Sequence, residues 1–286
     1  MTGENGFLTG SIDPHVHADP DVWPRLNDVV AVAREARDAG MAGVVLVNHF
    51  SETAGQAAVV DRVVDGIEVK GAIKLNRPVG GLNPDAVETV LELGAAKIDM
   101  STQQSTNELA FCGEDPADGV ETIHDEALRD EVHEILDLVA DYGGTLATGH
   151  LSPGEVETVV DAAFDHGVED VVVSHPELPS VNLPLERQVA LAERGAMMEY
   201  CYVTTTDVLH DHYEIDAPLA PSDVLGMAEQ VGPDLVMLAT DFGQPENPSP
   251  PEGMGSFIAD AVDYGFTDDE ISRMVRGNAR AVYGFE

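Results

Sequence analysis

Eight glycines punctuate this chain at regular intervals and constrain its fold more than any other feature. Gly40, Gly66, Gly94, Gly143, Gly167, Gly195, Gly232 and Gly265 each close a helix-like segment. A residue free to adopt the left-handed conformation finishes the last turn of a helix there. After all but the last comes a short apolar stretch, clearest in Val44-Val45-Leu46-Val47, Ile98-Asp99-Met100, Val171-Val172-Val173 and Leu235-Val236-Met237-Leu238. Short strands that are apolar on both faces, alternating with amphipathic helices, imply a parallel sheet covered on both sides. Helix starts are marked as well: Asn83-Pro84 puts a capping residue before a first-turn proline, and Ser152 to Glu155 and Thr267 to Glu270 have capping-box spacing. The pattern predicts an α/β chain, a (β/α)8 TIM barrel in one domain over residues 1–286. Its strands should end near His17, Asn48, Asn76, Thr102, His150, His175, Val203 and Asp241.

Four of these strand ends carry metal-binding side chains: His15 and His17 in Ile12-Asp13-Pro14-His15-Val16-His17, His150, His175, and Asp241 after Thr240. They fall after strands one, five, six and eight. Barrel enzymes place their chemistry at the C-terminal ends of the strands, and neutral imidazole with carboxylate suits a borderline cation such as zinc. An Asp buried at such a place without a metal or a hydrogen-bonding partner would be costly.

In order as well as type, this arrangement resembles the amidohydrolase superfamily of metal-dependent hydrolases. There a His-x-His pair follows strand one, single histidines follow strands five and six, and an aspartate follows strand eight. The resemblance runs over nearly the whole chain, including Gly277-Asn278-Ala279-Arg280, and Gly80-Gly81-Leu82-Asn83-Pro84 looks closest to an uncharacterised branch. It implies that His15, His17, His150, His175 and Asp241 hold a divalent ion, zinc before others. Binuclear relatives add a carboxylated lysine or a glutamate near the end of strand four, where this chain has Met100-Ser101-Thr102-Gln103. Lys74 and Asp99 are the substitutes within reach as bridging groups, and one ion is favoured over two. Too few residues precede the first strand for the small β-sandwich that flanks many cyclic amidohydrolases, so the simpler members are the nearer comparison.

The chemistry expected is hydrolysis of an amide, lactone or related ester of a small molecule. Asp241 would take a proton from the attacking water and return it to the leaving group, and His175 would either bind the ion or steady the substrate oxygen. The same ligands serve metal-assisted decarboxylases of the superfamily, and a barrel holding metal without catalysis is the third alternative. Asn48, His49, Asn76 and Arg77, with Gln103, Glu199 and Tyr202, are candidates for the pocket mouth; arginine pairs with carboxylate or phosphate in a planar fork. The stretch from Gln104 to Glu126 is long for a strand-to-helix connection and is expected to cross the barrel mouth as a lid, as is Thr204 to Pro221.

Charge adds a second constraint. Asp and Glu number 53 against 14 Lys and Arg, a net charge of −39. With hydrophobic residues at 43% the chain still has a core, so the acidity points to a salty interior rather than to disorder. Nucleic acid would be repelled. No apolar run approaches the roughly 20 residues of a membrane span, and the first residues lack the basic and apolar pattern of an export signal. Cys112 and Cys201 are too few for a disulfide framework. A cytoplasmic enzyme acting on a small-molecule substrate is expected, with assembly into a homo-oligomer left open.

Overall fold

The computed structural model describes residues 5–213 and 215–286; the export-signal reading of residues 1–4, and position 214 in the second expected lid, lie outside them. Eight parallel strands form one sheet: β1 (Ile12–His17), β2 (Gly43–Val47), β3 (Glu68–Lys74), β4 (Lys97–Asp99), β5 (Thr145–Ala147), β6 (Asp170–Ser174), β7 (Met197–Cys201) and β8 (Val236–Ala239). They neighbour one another in chain order. The ring closes where Val16 pairs with Phe242: Asp241 N donates to His15 O at 2.9 Å and His17 N to Phe242 O at 2.8 Å. This is the expected (β/α)8 TIM barrel. Its strand ends fall within a few residues of the expected positions.

Eight helices among the described residues follow the strands: α1 (Val29–Asp38), α2 (Ala54–Val63), α3 (Pro84–Glu92), α4 (Asp130–Tyr142), α5 (Pro153–Asp165), α6 (Leu185–Ala192), α7 (Pro221–Val231) and α8 (Pro250–Tyr264). The eight glycines read as helix stops all have positive φ, and the capping boxes at Ser152/Glu155 and Thr267/Glu270 are formed. Helix α4 shows why these segments pack as they do. Val132, Ile135, Leu136 and Val139 recur at helical spacing and are buried, each worth about 1.5–3 kcal/mol over an exposed position.

Close contacts gather the chain into two units. One holds Met1–Val47, Gln56–Lys70 and Glu199–Glu286, with a core around Phe242, Phe257, Ile258 and Met274; the other holds Asn48–Gly55 and Gly71–Met198, with a core around Ile98, Met100, Leu146 and Val172. Strand β1 is irregular between Asp13 and Val16, where Pro14 has no N–H to give to a ladder.

The stretch from Gln104 to Glu126 carries elements of its own. It holds a helix (Thr106–Phe111), a 3-10 turn (Pro116–Asp118) and the start of a hairpin pairing Ile123–His124 with Ala127–Leu128. Ser105 Oγ and Asn107 Nδ2 donate to His150 O at 2.8 and 3.1 Å, and Asn107 also reaches Ser180 O at 2.8 Å. In the second expected lid a 3-10 turn (Tyr202–Thr205) leads to a helix (Asp207–Tyr213). No helix among the described residues is long and apolar enough to cross a membrane.

Candidate metal centre

In the first unit, β1 and β8 bring His15, His17 and Asp241 together. His17 Nε2 lies 3.1 Å from Asp241 Oδ1 and His15 Nε2 3.5 Å from the same oxygen; the three ligand atoms all lie within 4.8 Å of one another. Ligand atoms around a tetrahedral zinc with bonds of about 2.0–2.1 Å stand about 3.3 Å apart, so the donor set fits such an ion. Both histidines are buried, while Asp241 keeps 14% exposure toward solvent.

The polar surroundings fix the rings. Glu199 Oε1 accepts a hydrogen bond from His15 Nδ1 at 2.8 Å, and Tyr283 Oη donates to Glu199 Oε2 at 3.0 Å. With its proton held on Nδ1, His15 in its neutral form turns the lone pair of Nε2 toward a carboxylate oxygen, an arrangement that calls for a cation between them. Below this lies Asp13, fully buried. Its carboxylate accepts from Thr240 Oγ1 at 2.5 Å, Thr240 N at 3.0 Å and His15 N at 3.3 Å, joining the strand ends that carry His15 and Asp241. Burial pushes its pKa up from 3.8 to about 7, against the lowering effect of those hydrogen bonds.

Backbone geometry is unusual at two of the five candidate residues: Asp241 has φ +55° and His175 φ +44°. Asp and His tolerate this region better than most residues, at a cost of about 1–2 kcal/mol, and such positions cluster at functional sites. Gly243 follows Asp241 at φ +138°, and a Cβ there would stand 2.0 Å from His17 O, so only glycine lets the loop pass β1.

In the second unit, His150 and His175 follow β5 and β6 with ring centroids 5.4 Å apart, and the ring of His49 lies 6.2 Å from that of His150. Glu108 Oε2 accepts from His150 Nδ1 at 3.1 Å, repeating the device seen at His15. Burial first, then the charges of His150, Lys74 and Lys97, hold the His175 pKa well below 6.5, leaving a neutral imidazole as metal ligation requires. Lys74 and Asp99 face each other across the β3/β4 register, Nζ to Oδ1 3.7 Å, with Lys97 Nζ 4.0 Å from the same oxygen.

Four of the candidate pocket residues, Asn48, His49, Asn76 and Glu199, are more deeply set than a mouth would have them. Asn76 is buried and its amide staples loops: Nδ2 donates to His49 O and Thr102 Oγ1, while Oδ1 accepts from Ser101 Oγ and Thr102 N. Asn48 Oδ1 accepts from Phe50 N and Ser51 N, and His49 Nδ1 lies 2.9 Å from Thr102 Oγ1. Glu199 is a buried strand residue beneath His15 and not a rim residue. Arg77 is exposed and gives Nη1 to Asp118 O at 2.9 Å, beside a cavity of about 420 Å³ with Gly80, Gly81 and Val120. Gln104 meets the backbone of Arg77. Tyr202 Oη donates to Asp260 at 2.6 Å. Sequence reasoning left out Glu108 and Asp13 as partners of the site and gave Glu199 another role; the only local hint was Asp13 two residues ahead of the His15-Val16-His17 pair.

Comparison with known proteins agrees with this fold. The model of a family of unknown function, DUF6282, matches residues 10–199. No curated protein matches. Among solved structures, an amidohydrolase from Pseudomonas aeruginosa is similar at 13% identity over 98% of each chain, with a TM-score of 0.66. The dipeptidase AC, a metallopeptidase, is similar at 13% identity over 97% of this chain and 98% of that one, TM-score 0.65. An amidohydrolase from Burkholderia multivorans with bound zinc is similar at 14% identity over 96% and 99%, TM-score 0.63. At such identities the likeness is one of fold. The match of its own sequence to the family model, over well more than half its length, places the chain in the DUF6282 family, whose function is unknown.

Proposed function

We propose that this chain is a metal-dependent hydrolase that cleaves an amide, lactone or related ester of a small molecule with a water activated on one divalent ion. The observation that carries this reading is the convergence of His15 Nε2, His17 Nε2 and Asp241 Oδ1 at ligand spacing, with Glu199 fixing the His15 tautomer. The superfamily resemblance assigns His150 and His175 to the same ion; the neutral state of His175 and the Glu108 bond to His150 suit that role. Zinc is the first candidate, in keeping with the zinc-bound amidohydrolase of similar fold. The similar dipeptidase supports an amide among the bonds to be tested. One ion is favoured because Met100-Ser101-Thr102-Gln103 offers no lysine or glutamate at the end of strand four to bridge a pair.

Bound zinc would lower the pKa of a water from about 15.7 to about 7 and polarise the scissile carbonyl. The residues supply the rest. Asp241, the one partly exposed member of its group, accepts the proton of the attacking water on a carboxylate oxygen and returns it to the leaving group. His15, held from behind by Glu199, and His17 would contribute the lone pairs of their Nε2 atoms to the ion. Asp13 and Thr240 keep the strand ends of His15 and Asp241 in register, so the acceptor and the ligands move as one.

The test is elemental analysis of protein purified in high salt, followed by an activity screen over amides, lactones and esters. Asp241→Asn in metal-loaded protein should remove most of the turnover, and an unchanged rate would refute its role. Protein that holds no transition metal and cannot be loaded with one would overturn the whole reading.

A further inference from the structure

A second group of metal-binding side chains lies away from the strand ends, on the helical layer. His133 and Asp137 stand four residues apart on α4 and therefore on one face. His166 caps the C-terminus of α5 next to them. His166 Nδ1 lies 2.7 Å from Asp137 Oδ1, and His166 Nε2 lies 2.9 Å from His133 Nδ1; the two rings are 5.1 Å apart and tilted by 34°.

The proton positions follow from the partners. An ionised carboxylate only accepts, so His166 carries its proton on Nδ1 and, when neutral, presents a lone pair at Nε2. His133 Nδ1 must then donate to that lone pair. The two nitrogens thus point at one spot, which a single proton fills. Asp137 stands behind His166 as carboxylates stand behind metal-bound histidines, fixing the tautomer and the orientation of the ring. From these contacts we infer that His133 and His166 form a second, solvent-facing site for a borderline divalent cation such as Zn²⁺ or Cu²⁺, with Asp137 as its positioning carboxylate.

Exchange of the His133 proton for a metal balances by tautomerisation: the Nδ1–H bond breaks, His133 Nε2 takes up a proton from solvent so that the ring stays neutral, and two N–metal bonds form with no net release of protons. Two nitrogens bound to one tetrahedral ion stand about 3.3 Å apart, so the pair needs to open by about 0.4 Å. The side chains have room to do so, since His166 is 21% and Asp137 68% exposed. Remaining positions on the ion would be filled by water. Imidazole pairs select copper and zinc over the hard cations that surface carboxylates attract, which separates this site from the general acidity of the surface. It does not depend on the proposed hydrolase reading. Its consequence is that two equivalents of metal per chain would not by themselves make the strand-end centre binuclear.

The experiment uses the full chain in molar KCl with excess Mg²⁺ to occupy surface carboxylates, titrated with Zn²⁺ and, separately, Cu²⁺. Wild type should take up one equivalent more than His133→Gln or His166→Gln, and Asp137→Asn should weaken that equivalent about tenfold. Copper at the site should show paramagnetic coupling to two nitrogens that each His variant loses. Neither His variant should alter turnover or metal content at His15, His17 and Asp241. Equal stoichiometry in wild type and both variants would overturn the inference and leave a hydrogen-bonded histidine pair. Failure of the hydrolase reading would instead appear as a metal deficit at the strand ends with this equivalent intact.

Discussion

Replacing Glu199 with glutamine probes the metal centre without enlarging or emptying it. Glu199 is fully buried, takes the His15 Nδ1 proton at 2.8 Å and the Tyr283 hydroxyl at 3.0 Å, and sits on the rigid strand β7. Glutamine keeps the shape and loses the charge. With its carbonyl toward His15, the bond there drops from charge-assisted to neutral, roughly half the strength, and Tyr283 must turn from donor to acceptor. With its NH₂ toward His15, two donors would meet, so the ring must move its proton to Nε2, the nitrogen aimed at Asp241. Either outcome lowers the basicity or the availability of that nitrogen. Removing such a partner typically costs 10–100-fold in metal affinity; the milder orientation sets the expectation at about tenfold, or about 1.4 kcal/mol. The assay is competition for zinc against a chromogenic chelator at fixed pH in molar KCl, with a thermal melt of the metal-free protein beside it. Zinc affinity within twofold of wild type would refute the reasoning, because His15 would then not be a ligand steadied by Glu199. A lowered melt alone would report only lost packing.

Asp13 gives a pH signature. Its folded pKa of about 7 lies above the value of 3.8 that it has when exposed, so its contribution to stability is full below about pH 4 and is lost as pH rises through 7. Metal-free Asp13→Asn should lose that slope in denaturant titrations across pH 4–8, and a slope equal to wild type would contradict the assignment. Gly243→Ala must place a methyl 2.0 Å from His17 O; it should destabilise the protein by about 2 kcal/mol or more and cut zinc affinity as well, whereas a wild-type melt would show the loop free to shift. Thermal stability should climb steeply from dilute buffer to molar KCl as the net charge of −39 is screened, and a flat response would remove the salt-adapted reading.

The barrel was legible because its signals are local. A glycine stop or a capping box such as Ser152/Glu155 depends on a few neighbouring residues, so reading them along the chain places eight helices and, between them, eight strands. The metal-binding candidates were legible for a related reason: each stands immediately past an apolar run. What supports them was not. Asp13 meets Thr240, 227 residues away, and Glu199 meets His15, 184 residues away. No periodicity encodes which buried carboxylate a closed barrel delivers to which ring. Glu108 was hidden for a further reason, since it lies on a short helix inside the long connection after β4, where a carboxylate reads as one of several acids. His133 and His166 share a hydrogen bond that no local pattern announces, because it depends on α4 and α5 being neighbours in the helical layer.

The placement of the lysines offers a practical gauge of this protein. Lys70, Lys74 and Lys97 are the only three, and Lys74 and Lys97 are walled in at 1% and 0% exposure while Lys70 keeps 21%. An acylating reagent therefore meets a single accessible lysine amine on the native molecule and two more once the strands part. Mass spectrometry of the lysine adducts would count unfolded molecules directly, even in concentrated brine that defeats most optical probes.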